Sequence, residues 1–118
     1  MDGPEINERA FRFACRIVEL YRKLRKAGGA GWELAPQLLK AGTSIGANLE
    51  EATGGQTKPD FIHKNCIALK ESRETRYWLR VIDKARLLPD ENVASDIQEA
   101  TEFVAILTTI IRRSRMSP

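Results

Sequence analysis

Basic residues recur along two stretches of the chain at spacings typical of a helix. Steps of three, four and seven residues bring side chains to one side of a helix, so each stretch would present a basic stripe. Guanidinium and ammonium groups bind phosphate, and such stripes predict salt-dependent binding of RNA or DNA without strong sequence preference. A solvated polar face is the alternative, and no aromatic platform for stacking bases is evident on the stripes. The candidate residues are Arg9, Arg12, Arg16, Arg22, Lys23 and Lys26, followed by Arg73, Arg76 and Arg80.

The sequence offers little for catalysis or metal binding. His63 and Cys66 lie three residues apart, but His63 is the only histidine and structural zinc sites use four ligands. Glu71 and Glu74 could contribute to a carboxylate metal site, yet such sites need Glu-x-x-His motifs that this sequence lacks. Salt bridges such as Lys70 with Glu74 are the simpler interpretation. We therefore predict a protein that is not an enzyme and that holds no metal or cofactor.

Composition predicts one globular domain over residues 1–118, since 42% of the residues are hydrophobic and the length suits a single core. Cys15 and Cys66 fall within helical patterns, where thiols usually pack as small buried groups, and they do not suggest a disulfide framework. A cytoplasmic protein is therefore expected. No apolar stretch approaches the roughly 20 residues that cross a bilayer. The net charge of +3 is mild, and the positive charge concentrates in residues 1–27 and 58–88.

Apolar residues at alternating spacings of three and four predict four amphipathic helices, at about residues 4–27, 33–53, 58–86 and 90–115. Glycines predict the first connection at 28–32 and a turn at Gly54-Gly55. Thr57 and Asp90 are the expected caps of the last two helices. Because the connections are short, the prediction is an all-α, antiparallel up-down-up-down four-helix bundle.

Two of these helices carry more apolar surface than one bundle core requires. Phe11, Ala14 and Val18 widen the apolar face of the first helix. On the third helix a second strip lies nearly opposite the core-facing strip. An exposed apolar patch usually marks an interface, so the pattern predicts a homo-oligomer. The alternative is a monomer in which bulky loop residues, including Trp32, cover the excess. The second strip consists of Ile67, Trp78, Val81 and Ala85.

Small and polar residues interrupt the apolar stripe of the second helix. Gly42 and Gly46 remove side chains from one line and would allow a neighbouring helix to approach closely. Asn48 shares a face with Ser44 and Glu51, and a buried amide there needs hydrogen-bond partners. A structural role for Asn48 is the main interpretation, with ligand binding as the alternative.

Three segments of the central region carry a family resemblance. They are QLLKAGTSIGANLEEA at 37–52, DFIHK at 60–64 and IALKESRETRYWL at 67–79. Together they resemble the bacterial four-helix-bundle proteins related to those encoded in intervening sequences of 23S ribosomal RNA genes. Relatives include the accessory variability protein of diversity-generating retroelements, a homopentamer that binds nucleic acid together with its reverse transcriptase. The resemblance thus implies a homopentamer and adds a reverse transcriptase as a possible partner.

Carried over by position, the motif residues of that family look structural or interfacial. Glu71 departs from the pattern, because many relatives have glycine before the serine, which suggests a subgroup. The sequence thus predicts a non-enzymatic homo-oligomeric bundle that binds RNA or DNA weakly through its basic faces. The alternative is a scaffold that docks a protein such as a reverse transcriptase. The matching positions are Ser44, Ile45, Asn48, Glu51, Phe61, Ala68, Leu69, Ser72, Glu74, Trp78 and Leu79.

Overall fold

The computed structural model describes residues 3–54 and 57–118, with side chains from Glu5 onward. Four helices follow one another along the chain, and no strand occurs within these ranges. They are α1 (Gly3–Ala27), α2 (Gly29–Thr53), α3 (Lys58–Lys84) and α4 (Ala94–Met116). The predicted all-α class is confirmed. None of the described helices is long and apolar enough to cross a membrane.

Contacts between distant residues define the directions of the helices. Along α2, Gly31 lies against Leu24, whereas Gly46 lies against Ala10, so α1 and α2 are antiparallel. Between α3 and α4, Cys66 meets Arg115 near one end. Ile82 and Val93 line one cavity near the other end of the same two helices. Arg9 and Arg16 of α1 reach Glu99 and Asp96 of α4, respectively, in the same antiparallel sense. The predicted up-down-up-down bundle is therefore confirmed, and it measures 50 × 20 × 20 Å.

The core lies between the four helices, where one stripe of each helix is buried. The rings of Phe13 and Phe103 pack against each other across α1 and α4, with centroids 5.5 Å apart. Close approach of α1 and α2 depends on Gly42, because a methyl group there would lie 2.7 Å from Cγ1 and Cγ2 of Ile17. Other fully buried core residues are Leu20, Leu24, Leu38, Ile45, Leu79 and Leu107.

The first turn is shorter than the sequence predicted. Gly28 alone connects α1 to α2, with φ of 74°, and α2 begins at Gly29 rather than near Glu33. Glycine adopts this positive φ without steric cost, which allows so tight a reversal. Pro36 therefore lies inside α2, where its missing N–H leaves the Trp32 carbonyl without an α-helical donor. The guanidinium of Arg25 donates to that carbonyl at 3.4 Å.

The other turns partly follow the sequence prediction. Thr57 caps α3 as expected, since its hydroxyl accepts from the Asp60 N–H at 3.2 Å. The predicted turn at Gly54-Gly55 falls in part outside the described residues, because Gly55 is not among them. Helix α3 ends at Lys84, slightly before the predicted end at about residue 86. Helix α4 begins at Ala94, after the predicted start at about residue 90. The expected cap at Asp90 is wrong, because the N-cap position is occupied by Val93, and the side-chain oxygen of the preceding Asn92 accepts from the Ala94 N–H at 3.0 Å.

Candidate nucleic-acid interface

Arg9 of the first predicted stripe points toward acidic residues of α4 rather than into open solvent. Its Nε and Nη2 donate to the two carboxylate oxygens of Glu99 at 2.7 and 2.6 Å. Nη2 also reaches Glu102 at 2.5 Å, and the guanidinium lies 5.5 Å from the Phe103 ring centroid. The bidentate contact with Glu99 fixes the orientation of the guanidinium. Hydrogen bonding to Glu99 raises the pKa of Arg9 above its ordinary value.

Arg16 and Lys23 continue the same pattern one and two heptads further along α1. Arg16 donates to both oxygens of Asp96 and also to Glu91 and Glu19. Lys23 donates to Glu91 at 2.7 Å. These hydrogen bonds, with the Lys23 bond contributing most, lower the pKa of Glu91. Three members of the predicted stripe thus form an ion-pair network across α1 and α4, here called the α1–α4 seam.

The remaining members of the α1 stripe are more accessible. Arg12 is exposed, and within the described part of the chain its ion pair is a 3.5 Å contact with Glu8 in its own helix. Arg22 and Lys26 are exposed, and neither forms an ion pair with any residue in the ranges 3–54 and 57–118. The structure therefore divides the predicted α1 stripe into a neutralised seam and three separate surface cations.

The second predicted stripe has a different environment. Arg73 and Arg80 are exposed and Arg76 is half-buried. Within the described parts of the chain, none of the three forms an ion pair. They follow Leu69 at steps of four, seven and eleven residues, and Leu69 itself borders α4, so the stripe runs along the α3–α4 side of the bundle.

Two arginines that the sequence interpretation did not include lie on the same side. Arg112 and Arg115 line a shallow apolar groove with Leu69, Ile111 and Met116. Arg115 also donates to the Cys66 thiol at 3.7 Å. The predicted antiparallel order of α3 and α4 could have identified them, because it places the end of α4 beside the first half of α3. The α3–α4 basic face is hereafter Arg73, Arg76, Arg80, Arg112 and Arg115.

Part of the predicted interface motif forms a polar cluster between α2 and α3. Glu71 is buried, and the Ser44 side chain of α2 lies close to its carboxylate, although the Ser44 hydroxyl donates to the Lys40 carbonyl of its own helix at 2.6 Å. Burial raises the pKa of Glu71, and the nearby charge of Glu74 raises it further. The indole N–H of Trp78 lies 3.4 Å from Oε1 of Glu74. The departure from the family pattern at Glu71 therefore places an acid in the middle of this cluster.

Other motif residues satisfy their hydrogen bonds locally. The Asn48 amide donates to the carbonyl of Ser44 at 2.8 Å, one turn earlier in its own helix. The buried Ser72 hydroxyl donates to the Ala68 carbonyl at 2.8 Å. Phe61 is half-buried and Glu51 is exposed. The hydrogen bonds of Asn48 and Ser72 therefore each lie within one helix, and the structural role of Asn48 stays a prediction.

Apolar side chains remain exposed where the sequence predicted a surplus. Phe11 is 60% exposed and borders a groove with Ala14, Gly46 and Ala47. Trp32 does not cover this groove, because it belongs to α2 and its ring packs on Arg25 instead. The prediction of two buried thiols is wrong, since Cys15 is exposed and Cys66 is half-buried. On α3, Ile67, Trp78 and Val81 are half-buried, and Ala85, immediately after the end of this helix, is exposed.

The described acidic, histidine and cysteine side chains were also compared with the requirements of a metal site. Among residues 3–54 and 57–118, no group of three or more His, Cys, Asp or Glu side chains could hold a metal ion.

Comparison with protein families connects this architecture to a known group. Residues 4–109 match the family described as 23S rRNA-intervening sequence protein. The chain belongs to this family. The match spans all of α2 and α3 and most of α1 and α4, so the motif residues and both basic stripes lie inside it.

A solved structure of similar fold supports the assignment to the 23S rRNA-intervening sequence protein family. It is the crystal structure of a protein of unknown function from the S23 ribosomal protein family of Bacteroides thetaiotaomicron. The two are 37% identical, and the similarity covers 95% of this chain and 99% of that one, with a TM-score of 0.84. No match was found among curated proteins. The family and the fold are thus shown together.

Proposed function

We propose that this 23S rRNA-intervening sequence protein is a non-enzymatic, cytoplasmic homo-oligomer that binds RNA or DNA weakly through the α3–α4 basic face. The observation that carries the proposal is the contrast between the two basic stripes. On α1, Arg9 and Arg16 are each paired with two or more carboxylates. On the α3–α4 basic face, no arginine forms an ion pair within the described ranges. Unpaired arginines are free to exchange counterions for phosphates.

Spacing along the bundle favours an extended ligand. Arg73 and Arg80 are seven residues apart on α3, which corresponds to about 10 Å of helix. Arg115 lies beside Cys66, a further seven residues toward the start of α3. The cations therefore extend over roughly 20 Å, which suits successive phosphates of one polyanion better than a single small anion.

Homo-oligomerisation is supported by the exposed apolar surface around Phe11 and the half-buried side chains on α3. A second copy that covers these residues would remove apolar area from water, at about 25 cal/mol per Å². A ring of copies, pentameric by the family resemblance, would also repeat the basic face several times. Repetition raises the apparent affinity for a long nucleic acid even when one face binds weakly.

The experiment is filter binding or mobility shift with RNA and DNA at several salt concentrations. Arg73→Gln/Arg80→Gln should weaken binding and reduce the slope of log K against log salt by about 0.7–0.9 for each phosphate that the variant no longer neutralises. The matched control is Arg12→Gln/Arg113→Gln, which also removes two positive charges. Wild-type protein that binds neither RNA nor DNA at low salt would overturn the proposal, as would equal effects of the two variants.

A protein-docking scaffold is the second candidate function, and the groove at the end of α4 favours it. Leu69, Ile111 and Met116 give this groove an apolar floor, and Arg112 and Arg115 flank it. A helix of a partner protein, such as a reverse transcriptase, with one apolar and one acidic side would match these features. To separate the two candidate functions, wild-type protein and the Met116→Glu variant are each purified from cells. If the variant no longer carries a bound protein but still binds nucleic acid as the wild type does, the scaffold function is supported.

A further inference from the structure

The tight turn at Gly28 brings an aromatic ring and a guanidinium into a stack at one end of the bundle. The Cζ atom of Arg25 lies 3.4 Å from the centroid of the Trp32 ring and 5.7 Å from that of Tyr21. Arg25 also donates to the Trp32 carbonyl, the group whose usual donor is missing because of Pro36. We call Tyr21, Arg22, Arg25, Lys26 and Trp32 the aromatic corner.

Trp32 is held in place but not covered. Its side chain is 47% exposed although one face of the ring packs on Arg25. The cation–π contact restricts the ring to one orientation, so a ligand that stacks on the free face loses little side-chain entropy. An exposed tryptophan oriented in this way differs from a scattered surface hydrophobic residue, because its available surface is flat and fixed.

The sequence on either side of the Gly28 turn is strongly basic. Residues 21–33 contain four cations, Arg22, Lys23, Arg25 and Lys26, against one acid, Glu33. Lys23 is occupied by Glu91, whereas Arg22 and Lys26 are exposed and form no ion pair with residues 3–54 or 57–118. The corner thus combines a stacking surface with nearby phosphate-binding groups.

We infer that the aromatic corner binds single-stranded nucleic acid by stacking an unpaired base on Trp32, while Arg22 and Lys26 contact the adjoining phosphates. This inference rests on the proposed function and narrows its substrate class. Stacking on an aromatic side chain needs a base whose face is free, and paired bases inside a duplex do not offer one. The α3–α4 basic face needs only phosphates and therefore does not distinguish single strands from duplexes.

The first test uses tryptophan fluorescence. The chain has two tryptophans, so Trp78→Phe leaves Trp32 as the only one. Titration of this variant with a 20-nucleotide oligothymidylate should quench the emission, because the base stacks on the indole. A 20-base-pair duplex at the same phosphate concentration should bind with much less quenching. Equal quenching by both, or none with bound oligothymidylate, would overturn the inference.

The second test measures affinity in the otherwise unchanged chain. Trp32→Leu should weaken oligothymidylate binding at least about fivefold and leave duplex binding within about twofold, whereas Trp32→Phe, which keeps a ring, should retain most of the affinity. Circular dichroism checks that each variant remains helical.

The outcomes separate this inference from the proposed function. Normal oligothymidylate binding by Trp32→Leu, together with weakened binding by Arg73→Gln/Arg80→Gln, overturns the aromatic corner and leaves the proposed function standing. Absence of all nucleic-acid binding by the wild-type chain at low salt overturns both.

Discussion

The guanidinium of Arg16 in α1 donates two nearly parallel hydrogen bonds to the buried carboxylate of Asp96 in α4. Nε lies 3.0 Å from Oδ1, and Nη2 lies 3.1 Å from Oδ2. The Asp96 side chain is only 7% exposed, and that of Arg16 is 28% exposed. Because a carboxylate at such a position is costly unless it is paired, this contact makes the α1–α4 seam a structural element rather than a solvated charge stripe.

Asp96→Asn should therefore destabilise the fold. The change removes the buried negative charge and puts an amide NH2 in place of one of the two oxygens that accept from Arg16. We expect a loss of about 1–3 kcal/mol in the free energy of unfolding, less than for a fully buried pair because Arg16 is partly hydrated. Urea denaturation followed by circular dichroism measures the change. The control is Glu8→Gln, which removes an exposed ion pair within α1 and should cost less than about 0.5 kcal/mol. Equal effects of the two variants would contradict a structural seam.

The seam should also weaken in acid. Hydrogen bonds from Lys23 and Arg16 lower the pKa of Glu91, so its contribution to stability is complete above the ordinary glutamate pKa and is lost as pH falls through the folded-state value. Glu91→Gln should thus lower the urea midpoint at pH 7, and the difference from wild type should shrink steadily below about pH 4. A difference that is independent of pH would assign the effect to packing instead.

Glu71→Gln should stabilise the fold at neutral pH, whereas Glu91→Gln should destabilise it. Burial, and then the charge of Glu74, raises the pKa of Glu71. A raised folded-state pKa means that stability is complete below the ordinary glutamate pKa and decreases as pH rises through the folded-state value. The neutral amide should therefore raise the melting temperature at pH 7 and leave it nearly unchanged at pH 4. Glu51→Gln, at an exposed position of α2, is the control and should have little effect at either pH.

Two glycines of α2 should respond differently to alanine. A Cβ on Gly42 would lie 2.7 Å from both γ-carbons of Ile17, whose branched, fully buried side chain has little freedom to move. We expect Gly42→Ala to cost about 1 kcal/mol or more despite the better helix propensity of alanine. Gly46→Ala places its Cβ at an ordinary 3.5 Å from Ala10 and should stabilise by up to about 1 kcal/mol. If Gly42→Ala and Gly46→Ala change the urea midpoint equally, α1 and α2 are not closely packed at Gly42.

The proposed homo-oligomer should depend on Phe11. Phe11→Glu places a charge in the exposed apolar groove, and light scattering should show a smaller mass than for the wild-type protein, with helicity unchanged. Ser95→Glu, at an exposed position near the start of α4, is the matched control and should keep the wild-type mass. A wild-type chain that is monomeric at micromolar concentration would contradict the prediction directly.

Helix patterning was readable from the sequence because each helix buries one stripe, and burial imposes a period of 3.6 residues. Phe13, Ile17 and Leu20 of α1 are buried as that period predicts. The connections were less predictable, because glycines at 28, 29 and 31 suggested a longer loop. Positive φ angles at Gly28 and Gly29 reverse the chain, and Gly31 is needed instead for contact with Leu24, so glycine content alone overstated the loop.

The start of α4 was also poorly predicted from the sequence. Asp90 is a good capping residue, yet the N-cap position is occupied by Val93, which has no side-chain oxygen to cap the helix. The conformation after α3 sets where α4 can begin. Arg86 adopts φ of 56°, and the Leu87 N–H donates to the Ile82 carbonyl. This turn delays the start of α4 to Ala94.

Side-chain periodicity along each segment was enough to predict the helical class, the order of the four helices and the surplus apolar surface. The packed bundle was needed to show which arginines are neutralised, which stay available, and that Trp32 lies against Arg25. The partners of Arg16 and Arg9 lie 80 and 90 residues away, on a helix whose register against α1 is set by packing of the whole core. Periodicity identifies which face of a helix is polar, but the charge that a ligand meets depends on what the neighbouring helix presents to that face.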